Sequence, residues 1–118
     1  MTLNINLDRV KNTLLELSHI GFNVDDNGIY RSGLSPADMA ARHWLMGILE
    51  KEELSPHMDG AANVFGRFGD SAAPTVTVGS HLDSVPAGGM FDGALGVVAG
   101  LEILRVCKEQ GVHTQYPI

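Results

Sequence analysis

The stretch TVTVGSHLDSVPAGGMFDGALGVVAGLEIL, from Thr75 to Leu104, decides how this chain is read. It opens on a β-branched run, Thr75 to Val78, whose pattern predicts a buried strand. A glycine-rich loop follows, carrying His81, Asp83 and Asp92, and an apolar helix is expected from about Gly93 to Lys108. One histidine and two carboxylates thus fall on irregular backbone between a strand and a helix. Ligands in open α/β sheets bind where strands run out into such loops. Imidazole and carboxylate together suit a borderline divalent metal such as zinc.

The loop has parts with separable chemical roles. His81 offers a neutral imidazole nitrogen. Asp92 offers a carboxylate whose two oxygens can bridge two ions. Asp83, two residues on from His81, can accept the other ring N–H, which fixes the tautomer and raises ligand basicity. Gly79, Gly88, Gly89 and Gly93 permit backbone shapes closed to other residues, and Pro86 stiffens the turn. The spacing also admits a plainer reading. A strand–loop–helix connection can hold a satisfied histidine, with Asp92 capping the helix.

Outward from this centre, Asn6 to Ile20 predicts a first helix. Leu7, Val10, Leu14 and Leu17 form its apolar stripe, Asn6 or Asn4 its cap and Gly21 its stop. Asp26-Asn27-Gly28 signals a turn, with a brief extended piece at Ile29 and Tyr30. Ser35-Pro36-Ala37-Asp38 is a strong helix start, and that helix should reach about Glu53. Met39, Arg42, Leu45, Met46 and Leu49 fall at helical spacing along it. A short strand is expected near His57 and Met58. Asn63 to Phe68 predicts a strand joined through Gly69 to Pro74 to the one at Thr75, as a hairpin. Tyr116-Pro117-Ile118 reads as the lead-in to a further strand. Glu52 and Glu53 read as a solvated face, Cys107 as a packed thiol, and Gly96 and Gly100 as points of close helix–sheet packing.

The 118 residues suffice for one small core. A net charge of -6 argues against nucleic acid or an anionic membrane surface as partner. One cysteine excludes an internal disulfide framework and fits a reducing compartment. No secretory signal or membrane-spanning run is visible, so a cytoplasmic location is expected.

The string GSHLDSVPAGGMFDGALGVVAGLEIL closely resembles the metal loop of the hydantoinase/carbamoylase family of amidases. These are the N-carbamoyl-L-amino acid hydrolases, allantoate amidohydrolases and β-ureidopropionases, within the wider aminoacylase and carboxypeptidase superfamily. RVKNTLLELSHIG, IYRSGLSPADMAARHWL and DGAANVFGRFG are similar to the amino-terminal third of such enzymes, so the likeness spans nearly the whole chain. It implies an α/β fold: a partial three-layer α/β/α zinc-exopeptidase-like catalytic domain. Residues 1–118 would be its amino-terminal part, truncated before the later strands and the dimerisation domain. It implies His81 as a ligand of one ion, Asp92 as the carboxylate bridging two, and Asp83 as the catalytic acid orienting His81. The cofactor implied is a pair of divalent ions, zinc or, in some members, manganese, cobalt or nickel. The reaction implied is hydrolysis of a linear, non-peptide amide C–N bond in a small carbamoyl or ureido substrate, by a homodimer at full length. Two cations polarise the carbonyl and acidify a water.

The family's general-base glutamate, its neighbouring ligand glutamate and two more histidines have no counterpart here. Of His19, His43, His57, His81 and His113, only His81 matches a ligand. The isolated chain is therefore expected to lack substantial amidase activity. The rivals are another superfamily enzyme, a dipeptidase or deacylase, and a non-catalytic fragment. Substrate-binding residues are not assigned by the resemblance; Arg31 and Arg42 are the candidates for a substrate carboxylate.

Overall fold

The computed structural model describes residues 2–70 and 74–118. Helix α1 spans Leu7–Ser18, α2 Pro36–Lys51 and α3 Ala94–Glu109, with strands β1 His57–Met58 and β2 Val64–Phe65 between α2 and α3.

Each helix begins where local chemistry starts it. The Asn6 side chain accepts the Arg9 N–H at 3.0 Å and caps α1. Ser35 does the same for Asp38 at the head of α2, with Pro36 in the first turn. Beyond α1 the chain reverses at Gly21, whose φ is +82°. A Cβ there would lie 2.6 Å from the Tyr30 carbonyl oxygen, so this close return requires glycine.

One apolar cluster joins the helices. Leu14 and Leu17 of α1 meet Ala41, Leu45 and Leu49 of α2 and Val98, Leu101 and Leu104 of α3, with Leu54 and Leu82 filling in. Leu7, expected in the stripe, is exposed, because α1 turns only its later part inward. On α2 the inward row is Asp38, Ala41, Leu45 and Leu49. Met39, Arg42 and Met46 lie beside that row and are not buried.

Polar clamps also tie the helices. Glu102 is buried on α3, accepts the Asn6 N–H at 2.8 Å and pairs with Arg9 Nε at 2.8 Å. Arg105 pairs with Glu52 and donates to Thr13 Oγ1 at 3.2 Å. Glu52 is thus an ion-pair partner and the C-cap of α2, which corrects its reading as a solvated face.

The strand expectations divide. The short strand at His57 and Met58 is present, and it pairs antiparallel with β2, His57 opposite Phe65 and Met58 opposite Val64. The expected hairpin between 63–68 and 75–79 does not form. Ile118 instead exchanges backbone hydrogen bonds with Phe68, and the Val76 N–H donates to the Pro117 carbonyl. The carboxyl-terminal residues therefore lie between the two stretches. Thr75 to Val78, expected to be a buried strand, is exposed and outside the sheet. A β-branched run becomes a buried strand only with ladder partners and a covered face, and among the described residues Val76 has one rung, to Pro117. In the expected turn from Gly69 to Pro74, residues 71–73 lie outside the described residues.

Candidate metal centre

The loop from Ser80 to Gly93 is held by the elements beneath it. Val85-Pro86-Ala87-Gly88 forms a tight turn, with the Gly88 N–H on the Val85 carbonyl at 3.1 Å and Ala87 at φ +51°. Positive φ at the third position after a proline is type II geometry. Gly88 then pairs with Ile29 through two backbone hydrogen bonds of 2.9 Å. The extended piece expected at Ile29 and Tyr30 is therefore a brace for the loop.

Arg31 is the second brace. Its guanidinium is buried and donates to three carbonyls: Leu82 at 2.6 Å, Leu17 at 3.0 Å and Ile20 at 2.9 Å. It thereby closes the open end of α1 and grips the residue between His81 and Asp83. Burial pushes its pKa below the usual arginine value, and the Asp38 and Asp83 carboxylates pull it back up. Ser84 completes the brace: its N–H donates to the Arg31 carbonyl at 2.8 Å and its hydroxyl to that of Ile29 at 3.1 Å. A 2 % exposed Arg31 with its donors on protein carbonyls is not placed to receive a substrate carboxylate. Arg42 is likewise engaged, by Asp38 at 2.8 Å and the Ala62 carbonyl at 2.5 Å. These observations correct both candidacies.

On this frame the three singled-out side chains converge. His81 Nδ1 lies 3.2 Å from Asp83 Oδ1 and 3.1 Å from the Asp83 carbonyl oxygen. A proton on Nδ1 is thereby satisfied, and Nε2 keeps its lone pair. Nε2 points the other way, to Asp92 Oδ2 at 3.7 Å. Two donors on one tetrahedral zinc ion, each about 2.0–2.2 Å from it, stand roughly 3.3–3.6 Å apart. The pair is within a small side-chain adjustment of that spacing.

Gly93 makes room for the imidazole. It stands at φ +70°, and a Cβ there would run into the His81 ring and carbonyl. It is also the N-cap of α3, and no side chain caps that helix, so the capping role left open for Asp92 is not taken. Of the four loop glycines only Gly93 has a positive φ. Gly88 permits close approach to the Val85 carbonyl, whereas Gly79 and Gly89 face open space.

The centre is exposed: the side chain of Asp92 is 82 % accessible and that of His81 50 %. Among the described residues no group of three or more His, Cys, Asp or Glu is placed to hold a metal ion. Two donors and an orienting carboxylate are what the loop supplies. Gly96 and Gly100 do allow α3 to approach Ser80 and Val78, but that stretch lies outside the sheet, so the expected helix–sheet packing is a helix packed on an extended segment. Cys107 is buried and free.

Two facing donors on a loop between an extended segment and an apolar helix define the candidate centre, and comparison with known proteins gives the family. Residues 63–118 match peptidase family M28. An N-carbamoyl-L-amino-acid amidohydrolase of Rhizobium meliloti is 40% identical over 116 residues, 97% of this chain and 28% of that protein. A ureidoglycolate hydrolase of Oryza sativa is 39% identical over 79 residues, 65% of this chain and 16% of that protein. The crystal structure of a hydantoinase/carbamoylase family amidase from Burkholderia ambifaria superposes with a TM-score of 0.91 at 33% identity, covering 99% of this chain and 29% of that one. In sequence and fold this chain corresponds to part of a hydantoinase/carbamoylase family amidase. It spans little more than a quarter of the length of these amidases, which fits the amino-terminal portion expected from its motifs.

Proposed function

We propose that this chain contributes one portion of the metal centre of an amidohydrolase acting on linear, non-peptide amide C–N bonds. The observation that carries the reading is the facing of His81 Nε2 and the Asp92 carboxylate at 3.7 Å, with Nδ1 turned to Asp83. His81 and Asp92 would hold a divalent cation, zinc first by donor chemistry, with manganese, cobalt or nickel as alternatives. Asp92, with a second oxygen free, would bridge to another ion. Bound there, the cations supply polarisation of a substrate carbonyl and a water acidic enough to ionise near neutral pH. Asp83 holds the imidazole in the tautomer that leaves Nε2 unprotonated. Gly93 and Arg31 keep ring and backbone in place.

The substrate class follows the relatives: an N-carbamoyl-L-amino acid first, with ureido acids of the allantoate or ureidopropionate type beside it. The rice relative, a ureidoglycolate hydrolase, favours the ureido end of that range. A dipeptidase or deacylase is the second reading, favoured by the peptidase-family match over residues 63–118. The arrangement expected for the complete domain is three-layered, α/β/α.

A chimera tests this. The 116 matched residues of the Rhizobium meliloti amidohydrolase are replaced by this chain. Metal-dependent hydrolysis of N-carbamoyl amino acids, abolished by His81→Ala and by Asp92→Ala, is the expected result. A folded chimera that hydrolyses dipeptides only, or one indifferent to both substitutions, contradicts the proposal.

A further inference from the structure

Asp38 is a buried carboxylate with only one oxygen in use. It is 0 % exposed, and its Oδ2 accepts the Leu34 N–H and Arg42 Nε, each at 2.8 Å. Its Oδ1 is buried and, among the described residues, has no hydrogen-bond partner. A carboxylate left half satisfied in the interior weakens folding, so its presence calls for a role other than stability.

Starting α2 is not that role. Ser35 already accepts the Asp38 N–H, and its own N–H donates to the Ser32 carbonyl at 2.9 Å. In a capping box, the side chain at the third helical position returns to the N–H of the capping residue. Asp38 reaches one residue further back, to Leu34, and so fixes the turn ahead of the helix. Leu34 stands there at φ +62° and is 67 % exposed. A leucine in the left-handed region persists only where its surroundings impose it, and such residues cluster at functional sites.

That turn lies against the metal loop. A Cβ on Gly33 would stand 3.8 Å from Asp83 Oδ2, in ordinary contact. The other oxygen, Asp83 Oδ1, is the one beside His81 Nδ1. Arg31 holds both chain neighbours of Asp83. Its Nε donates to the Leu82 carbonyl, its N–H donates to Ser84 Oγ, and its carbonyl accepts the Ser84 N–H. The strip 31–34 is thus anchored at one end by Arg31 and at the other by Asp38, with the Asp83 carboxylate alongside.

We propose that Asp38 is a positioning residue for His81. By holding Leu34 it keeps Gly33 against Asp83 Oδ2. Asp83 Oδ1 then stays on His81 Nδ1, and Nε2 is left to face Asp92. The consequence for metal binding rests on the function proposed above; the consequence for the imidazole does not. Only the acceptor at Oδ2 is needed, so an amide oxygen in its place serves Leu34 equally.

Asp38→Ala and Asp38→Asn test this, since both keep the Ser35 cap and Pro36. Near about pH 8 imidazole is neutral, and its ¹⁵N shifts in the metal-free chain report which nitrogen carries the proton. The parent and Asp38→Asn should carry it on Nδ1, and Asp38→Ala should lose that preference. Zinc affinity by calorimetry should fall about tenfold in Asp38→Ala and stay within about twofold of the parent in Asp38→Asn. Where Asp38→Ala does not fold, an ester in place of the Gly33–Leu34 amide removes that N–H alone and should give the same changes. A folded Asp38→Ala or ester variant that keeps the proton on Nδ1 overturns the proposal, as does an Asp38→Asn variant that loses it. Zinc binding that ignores a changed tautomer counts instead against the proposed function.

Discussion

At the scale of single residues, the proposed centre depends on Gly93 as much as on the imidazole that Gly93 accommodates. A Gly93→Ala substitution adds a Cβ at φ +70° and against the His81 ring. We expect a loss of about 1–3 kcal/mol in stability from the backbone conformation. His81 should also turn away from Asp92, seen as lost zinc affinity in calorimetry even where the variant stays folded. Arg31→Met leaves the Leu17, Ile20 and Leu82 carbonyls without their buried donor. It should cost about 2–4 kcal/mol in urea unfolding. An unchanged midpoint would contradict the bracing role. That His81, Asp83 and Asp92 would face one another was legible in the sequence, because few residue types suit a metal and the glycine-rich string gathers three of them. Arg31 was not, since an arginine in a polar stretch gives no sign of burial. Its guanidinium is covered only because the end of α1 and the Leu82 carbonyl meet around it.

At the scale of elements, helices were readable throughout and strands only in part: the pieces at His57–Met58 and Val64–Phe65 are present, the one at Thr75 is not. Asn6, Ser35-Pro36 and Gly93 are local signals, and local chemistry sets helix ends without outside help. Strand formation depends on a neighbour that the local pattern does not specify. Thr75 to Val78 has the composition of a strand, yet it lies outside the sheet, joined to the carboxyl-terminal residues by the Val76–Pro117 rung. The α1–α3 clamp, made of side chains far apart in sequence, was invisible for the same reason. It carries a pH signature. Arg9 holds the Glu109 carboxyl below its ordinary range, mainly through their hydrogen bonds. A carboxylate whose folded pKa is depressed stabilises fully above its unfolded value, about 4.3 for glutamate, and loses that contribution as pH falls through the folded value. Unfolding midpoints should therefore drop below about pH 4 more steeply in the parent than in Glu109→Gln. Glu109 is solvent-accessible, so the difference should be small. Parallel acid profiles would remove Glu109 from the clamp.

At the scale of the whole molecule, an extended body with apolar residues on its surface matches little more than a quarter of its amidase relatives. Val76, Val78, Phe91 and Leu95 are all exposed. Among the described residues no helix is long and apolar enough to cross a membrane. The centre proposed here has two donors and one orienting acid in this chain, and metal-assisted hydrolysis of the proposed kind needs more ligands and a proton shuttle. The chain by itself should therefore show no turnover of N-carbamoyl amino acids above the metal-only background. Robust hydrolysis by the isolated polypeptide would show that the catalytic set is complete without further residues.

The most direct measurement follows the imidazole nitrogens of His81 by ¹⁵N NMR while zinc is added to the isolated chain. The account predicts a saturable shift of Nε2, little change at Nδ1 beside Asp83, and loss of the response in Asp92→Ala. A zinc response at Nδ1, or one that survives removal of the Asp92 carboxylate, would contradict it.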